Sequence, residues 1–295
     1  MFDIIGEAIN AVKDFFGDLG KSYLRNTLDD MFTLIDDATS MIAGEIAKTP
    51  GDWNSEIFTT LQSVSETVIL PIGTMIITAI LCYEIISMVV NQNHIGRDGG
   101  ETSFFFIIIF KAMAGVYFLA HSWEIACAIF DVGAYIVRTV TGGYLTGTAE
   151  SLGVWGLNAF NDEIEAMGDA DLIVVIVEAA LVSGAMSIMS ILIMVVLYGR
   201  MIEIYMYLSV APIPFSTLLN REWGQIGNNY IKTLCALAFQ TFFIIICVVI
   251  FNVMVGGIVV EGLKSGLRHV LIYAVLLCVM LFKSGSISRS IFNAH

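Results

Sequence analysis

Charge is scarce in this 295-residue chain: Asp, Glu, Lys and Arg together make up 14% of it. Soluble domains carry nearer a quarter. Proline is scarcer still, with four in all, at 50, 71, 212 and 214. There is no Gly-rich phosphate loop, which leaves no nucleotide site to argue from. No Cys-x-x-Cys pair occurs among Cys82, Cys127, Cys235, Cys247 and Cys278. All five lie in apolar segments and read as small buried hydrophobes, so neither a disulfide framework nor a metal knuckle is indicated. His121 and Glu124 share a helical face, but a single such pair is weak evidence for a metal. No nucleophile–base arrangement, HExxH or paired carboxylate is apparent, so we expect no catalytic residue, no cofactor and no metal. The formal net charge of −13 speaks against sequence-specific nucleic-acid binding, which needs Lys and Arg facing phosphate.

What is abundant is apolar surface. Hydrophobic residues make up 57% of the chain and its mean hydropathy is +0.82. Several runs reach the roughly 20 residues that cross a bilayer. The composition therefore predicts an all-α polytopic integral membrane protein.

The chain divides by pattern into an N-terminal region, 1–66, and a transmembrane domain, 67–295. Phe2, Ile5, Ile9, Val12, Phe16 and Leu19 recur at steps of three and four, one stripe of an amphipathic helix with an acidic opposite face. A second helix follows, with Leu28, Met31, Phe32 and Ile35 inward and Asp29, Asp30, Asp36 and Asp37 outward. Thr49-Pro50-Gly51-Asp52 ends it. These helices either lie on the bilayer or offer a docking surface for a protein partner.

The first span is expected over about 67–90, with Pro71 in its first turn, where proline is tolerated. Residues 102–140 hold no turn signal. As one helix they would be about 58 Å long and would project beyond a bilayer of about 30 Å; as two short spans they would give six crossings in total. A Gly-rich acidic segment follows at 141–171, carrying Asp162, Glu163, Glu165, Asp169 and Asp171 as a candidate partner or conduit surface. Further spans are expected over 172–210, about 228–255 and about 269–282. Small residues around Ala180, Gly184 and Ser187 would admit a close helix neighbour.

Lys and Arg in short loops set orientation. Arg97, Arg200, Arg221, Lys232, Lys283 and Arg289 fall on one side if 102–140 crosses once. That gives about five spans, two of them long, with the N-terminus and the acidic segment outside and the C-terminus inside. Lys264 and Arg268 do not fit this pattern. Lys111, Glu178, Glu84 and Glu203 are the intramembrane charged candidates. Lys111 and Glu178 could pair. Glu84, Arg200 and Glu203 read most simply as charges snorkelling from helix ends, and Glu124, Asp131 and Arg138 as part of the projecting end of a long helix.

The chain turns at a proline hinge, 211–227. Ala211-Pro212-Ile213-Pro214-Phe215 should end a span, because proline removes a donor and restricts the residue before it. A polar turn through Asn220, Arg221, Glu222 and Trp223 follows, and a helix restarts near Gly227.

The run LSVAPIPFSTLLNREWGQIGNNYIKTLCALAFQTFFIII, with its Ala-Pro hinge, polar turn with Trp, Lys232 and Gln240, resembles the core of the TrbL-type polytopic subunit of type IV secretion and conjugation systems. The resemblance is best over 172–255; the N-terminal 66 residues carry none. It implies a non-catalytic, homo-oligomeric subunit of a bacterial cytoplasmic-membrane platform that helps form the translocation path. The implied partners are cytoplasmic ATPases, stalk or pilus-type proteins and membrane lipid. It also implies a hinge role for Pro212, Pro214 and Trp223. A stand-alone small-solute transporter or channel is the alternative reading, and a membrane assembly factor without a conduit is a third.

Overall fold

The computed structural model describes residues 2–92, 101–142, 160–257 and 262–294. The side chains of 2–14, 16, 88–89, 91–92, 101–105 and 169 lie outside that description. So do residues 93–100, which make up most of the short polar loop that the sequence predicts over 91–100, the Gly-rich part of the acidic segment at 143–159, and 258–261. Every ordered element among the described residues is helical. The chain forms two compact units, one of Met1–Ile46, Val137–Leu197 and Phe243–Ser284, the other of Ala47–Ile136, Tyr198–Phe242 and Gly285–His295.

In the first unit, α1 runs over Phe2–Ile46 as one helix of 45 residues, where the sequence suggested two. Gly20 does not break it. Glycine inside a helix costs only about 1 kcal/mol, and a side chain here would press on Leu172 and Ile176; an added Cβ would sit 3.0 Å from Leu172 Cδ2 and 3.4 Å from Ile176 Cδ1. Leu24, Leu28, Met31, Ile35, Ile42 and Ile46 form its buried stripe. A helical turn at 160–165 buries Phe160 and Ile164. The long helix α7, Asp169–Ser209, buries Leu172, Val175, Ala179, Val182, Met186 and Ile193 while exposing Ile173, Leu181, Ile188 and Val195. A helix apolar on both faces is a membrane helix. At Gly184, in the small-residue stretch within it, an added Cβ would meet nothing within 4 Å among the described residues.

The second unit opens with α2, Pro50–Trp53, capped by Thr49, and α3, Ser55–Val64, capped by Asn54. A π-helical turn, Ser65–Ile69, joins α3 to α4, Leu70–Gln92. Pro71 therefore does not open a span; it sits well inside a helix that begins at Ser55. The Leu70 amide bonds back to the Ser65 carbonyl, and this wider turn lets the ladder pass a residue that has no N–H to give. Helix α5, Glu101–Ala120, and α6, Ser122–Val140, meet at His121 with a bend of 66°, so 102–140 is not one straight helix projecting from the bilayer. Glu124, Asp131 and Arg138 lie on α6, past the bend.

A short helix, α8, Pro212–Thr217, leads to α9, Gly224–Gly256, and the last helix is α10, Leu263–Ile291. Among the described residues, four helical stretches are long and apolar enough to cross a membrane: Ser55–Ser87, Ala170–Ser209, Gly224–Gly256 and Leu263–Ile291. The bent pair makes a fifth if it crosses once. Of the four, α9 is the most enclosed and Ser55–Ser87 the least.

Candidate functional site

The hinge follows from what two prolines take away. In an uninterrupted helix the amide of residue 212 would bond to the Leu208 carbonyl and that of residue 214 to the Val210 carbonyl. Proline supplies neither amide. The structure recovers both carbonyls one residue early: Ala211 N–H donates to Leu208 O at 3.2 Å and Ile213 N–H to Val210 O at 3.1 Å. The chain tightens into i→i−3 bonds and leaves the axis of α7 with no carbonyl orphaned at these two positions.

Thr217 then couples the two sides of the turn. Its hydroxyl donates to Pro214 O at 2.8 Å and accepts from Gly227 N–H at 3.1 Å. The approach is close enough that a Cβ on Gly227 would stand 2.6 Å from Pro214 O. Helix α9 itself begins at Gly224, capped by Asn220, whose Oδ1 accepts from the amides of Glu222 and Trp223, both at 2.8 Å. Phe215 is buried and meets Tyr230 edge-on at 5.8 Å.

The hinge is fastened to the α4–α5 hairpin. Helix α8 packs on both α4 and α5. Gly73 makes this possible, because a Cβ there would lie 3.0 Å from Pro212 O and 2.8 Å from Leu119 Cδ1. Asn220, only 7% exposed, donates through Nδ2 to Glu84 Oε1 at 3.2 Å, and Lys111 Nζ reaches the same oxygen at 3.5 Å. Next to this, Trp223 stacks on Tyr83 at 6.0 Å, and the Tyr83 hydroxyl donates to Glu222 at 3.3 Å. The residues expected at the hinge thus have distinct places: Pro212 against α4, Pro214 as acceptor for Thr217, Trp223 as a half-exposed ring on α4.

The charged candidates resolve differently from expectation. Lys111 meets Glu84, not Glu178. Glu84 is an inward group with its side chain 12% exposed, not a snorkelling end charge. Arg200 is buried within α7, where its guanidinium donates to Leu237 O at 3.2 Å and its Nε has no partner. Glu203 pairs with Arg289 near the end of α10, beside Ser288, whose hydroxyl donates to Ala236 O at 2.5 Å. In the other unit Glu178 meets Arg268 at 3.5 Å.

The acidic segment is largely engaged within its own chain. Glu163 accepts from the Leu263 amide at 2.8 Å, capping α10 just after Gly262, which takes the left-handed φ of 87°. Glu165 meets Arg25 at 3.1 Å, and its carbonyl accepts from Lys21 at 3.0 Å. Asp171 meets Lys264 at 2.8 Å. Asp162 is exposed, and the Asp169 side chain lies outside the described residues. Lys264 and Arg268, the two cations that break the loop-charge pattern, are therefore the partners of Asp171 and Glu178. His121 and Glu124 are 2.8 Å apart, and no group of three or more potential metal ligands occurs among the described residues.

Sequence reasoning missed Thr217, Gly73 and the inward fate of Glu84 and Arg200. Asn220 was legible: an Asn just before a helix restart is a capping signal. Gly73 sits in an apolar run with nothing to distinguish it.

Multiple long apolar helices, one broken at paired prolines, define a multi-pass membrane protein. Residues 35–212 match the family model described as TrbL/VirB6 plasmid conjugal transfer like protein. The match covers more than half of the chain, and the chain belongs to that family. It begins inside the N-terminal region, where the sequence offered no resemblance, and ends at Pro212, so Pro214 and Trp223 lie beyond it. No curated protein and no solved structure matches the chain.

Proposed function

We propose that this chain is a structural, path-forming subunit of the cytoplasmic-membrane platform of a conjugative type IV secretion machine. Membership of a conjugal-transfer family is the observation that carries the reading. The hinge supports it: an extensive polar and steric fastening holds α7, α8 and α9 to the α4–α5 hairpin without forming any catalytic arrangement. The subunit works as a homo-oligomer with the platform's ATPases and stalk or pilus-type proteins, its N-terminus outside and its C-terminus inside. The pairing of Lys264 and Arg268 with acids on neighbouring segments supports this orientation, because it accounts for the two cations that oppose it.

The test is an in-frame deletion in the conjugative element, complemented in trans. Transfer should fall to background and return with the intact gene. Mild extraction should yield a defined multi-copy assembly. Undiminished transfer in the deletion strain would overturn the reading. The small-solute transporter reading finds no support in the charged candidates, since Lys111 and Glu178 are each held by another partner.

A further inference from the structure

The first unit carries two kinds of surface. Between the charged residues near their ends, Asp171 on α7 and Arg268 and Lys283 on α10, its spanning helices expose large apolar side chains: Ile173, Val177, Leu181, Ile188 and Val195 on α7, and Ile272, Val275 and Val279 on α10. That is a surface for lipid. Helix α1 belongs to the same unit and is in contact with α7 and α9. Gly20 lies against Leu172 and Ile176, and the Thr39 hydroxyl donates to Asn252 of α9 at 3.5 Å. Between those contacts its outward residues are of the opposite kind. Ser22, Asn26, Asp29, Asp30, Thr33, Asp37 and Ser40 are all exposed, and they recur at steps of three and four on one face. With them only Tyr23 is exposed between 22 and 40.

That polar stripe runs for about 27 Å at 1.5 Å per residue, close to the thickness of the hydrocarbon layer. A carboxylate held against lipid at such depths is strongly disfavoured, and this stripe holds three aspartates that are exposed with no Lys or Arg between Arg25 and Lys48. Apart from the aspartates, a span-length polar face stands beside span-length apolar faces in one compact unit. We infer that this face of α1 meets water within the thickness of the membrane, and that copies of the chain turn it toward a shared water-filled path as its wall. The path rests on the proposed role above; the wet face does not. Such a wall attracts cations and repels nucleic-acid phosphate, so a polyanion passing it would not adhere.

The experiment uses the full chain with its five native cysteines replaced, purified as the assembled complex and reconstituted in phosphatidylethanolamine–phosphatidylglycerol vesicles. Spin labels are placed singly by Asp30→Cys, Thr33→Cys and Asp37→Cys on α1 and by Leu181→Cys and Ile188→Cys on α7. Power saturation then compares collision with water-soluble nickel ethylenediaminediacetate and with oxygen. The expected result is several-fold higher nickel accessibility at 30, 33 and 37 than at 181 and 188, with the α7 labels at hydrocarbon depth. Oxygen-dominated accessibility on α1 would overturn the proposal, because the face would then lie in lipid. Equal nickel accessibility on α7 would overturn it too, because the unit would lie outside the membrane. Thr33→Cys removes no charge, so it remains informative if an aspartate variant fails to assemble. A wet α1 face in a chain whose deletion spares transfer would refute the secretion role and leave the wet face standing.

Discussion

Asn220 bonds in two directions at once: its Oδ1 caps α9, while its Nδ2 donates to Glu84 across 3.2 Å. The turn that restarts a membrane helix is thereby fixed to the helix hairpin beside it. Glu84 joins Lys111 to the same point, so one carboxylate ties together α4, α5 and the hinge.

This arrangement sets the cost of removing Glu84. Glu84→Ala leaves Lys111 and the Asn220 amide without their shared acceptor and should destabilise by about 1–3 kcal/mol; Lys111 is one-third exposed, which keeps the loss below that of a fully buried pair. Asn220→Ala should cost a similar amount, about 1–2 kcal/mol, through the lost cap. Because the two share a bond, the double variant should lose less than the sum. A double-mutant cycle on denaturation midpoints in detergent checks this, and strict additivity would show the bond to be inert.

Thr217→Val keeps shape and removes the hydroxyl that links Pro214 O to Gly227 N–H. Both groups are left unpaired, a loss of about 1–3 kcal/mol. Thr217→Ser should recover most of it. Thermal midpoints of the three proteins decide the matter, and a valine variant as stable as the parent would mean that water takes over both bonds.

Two glycines separate steric need from helix propensity. Gly227→Ala puts a Cβ 2.6 Å from the Pro214 carbonyl, a backbone atom that has no way to yield cheaply, and should sharply reduce accumulation of folded protein. Gly184→Ala meets open space and should be neutral or stabilising by up to about 1 kcal/mol. Size-exclusion profiles of tagged variants give the comparison directly.

Within the acidic segment, position should matter more than charge. Glu163→Ala removes the cap on Leu263 and should cost about 1 kcal/mol. Glu165→Ala breaks an exposed pair with Arg25, its side chain 72% exposed, and should change stability by no more than about 1 kcal/mol. Melting curves of the two single variants test the ranking, and an equal loss from both would give the Arg25 pair a weight its exposure does not suggest.

Arg200→Met tests a buried cation with one unpartnered donor. Replacing it by an apolar side chain of similar length should leave stability unchanged or raise it by about 1–3 kcal/mol. A large loss would show that the bond to Leu237 O, not desolvation, dominates at this position.

Composition and periodicity determined much of this protein. Apolar runs long enough for a bilayer permit helix and little else, so the class and most spans were legible. The paired prolines at 212 and 214 located the hinge, because a missing donor is a local fact, and Asn220 announced the restart. The rest depended on contacts between segments distant in sequence. The charge partners of Lys111 and Glu178 depend on which helices become neighbours, and periodicity does not carry that. Gly73 and Gly227 look like any glycine until another backbone lies against them, while Gly184, in a more suggestive stretch, has no neighbour among the described residues. The bend at His121 interrupts a run with no turn residue. The π turn before Pro71 let a helix continue where local chemistry had placed its start. In each case residue type set what a side chain is able to do, and tertiary packing chose the partner with which it does it.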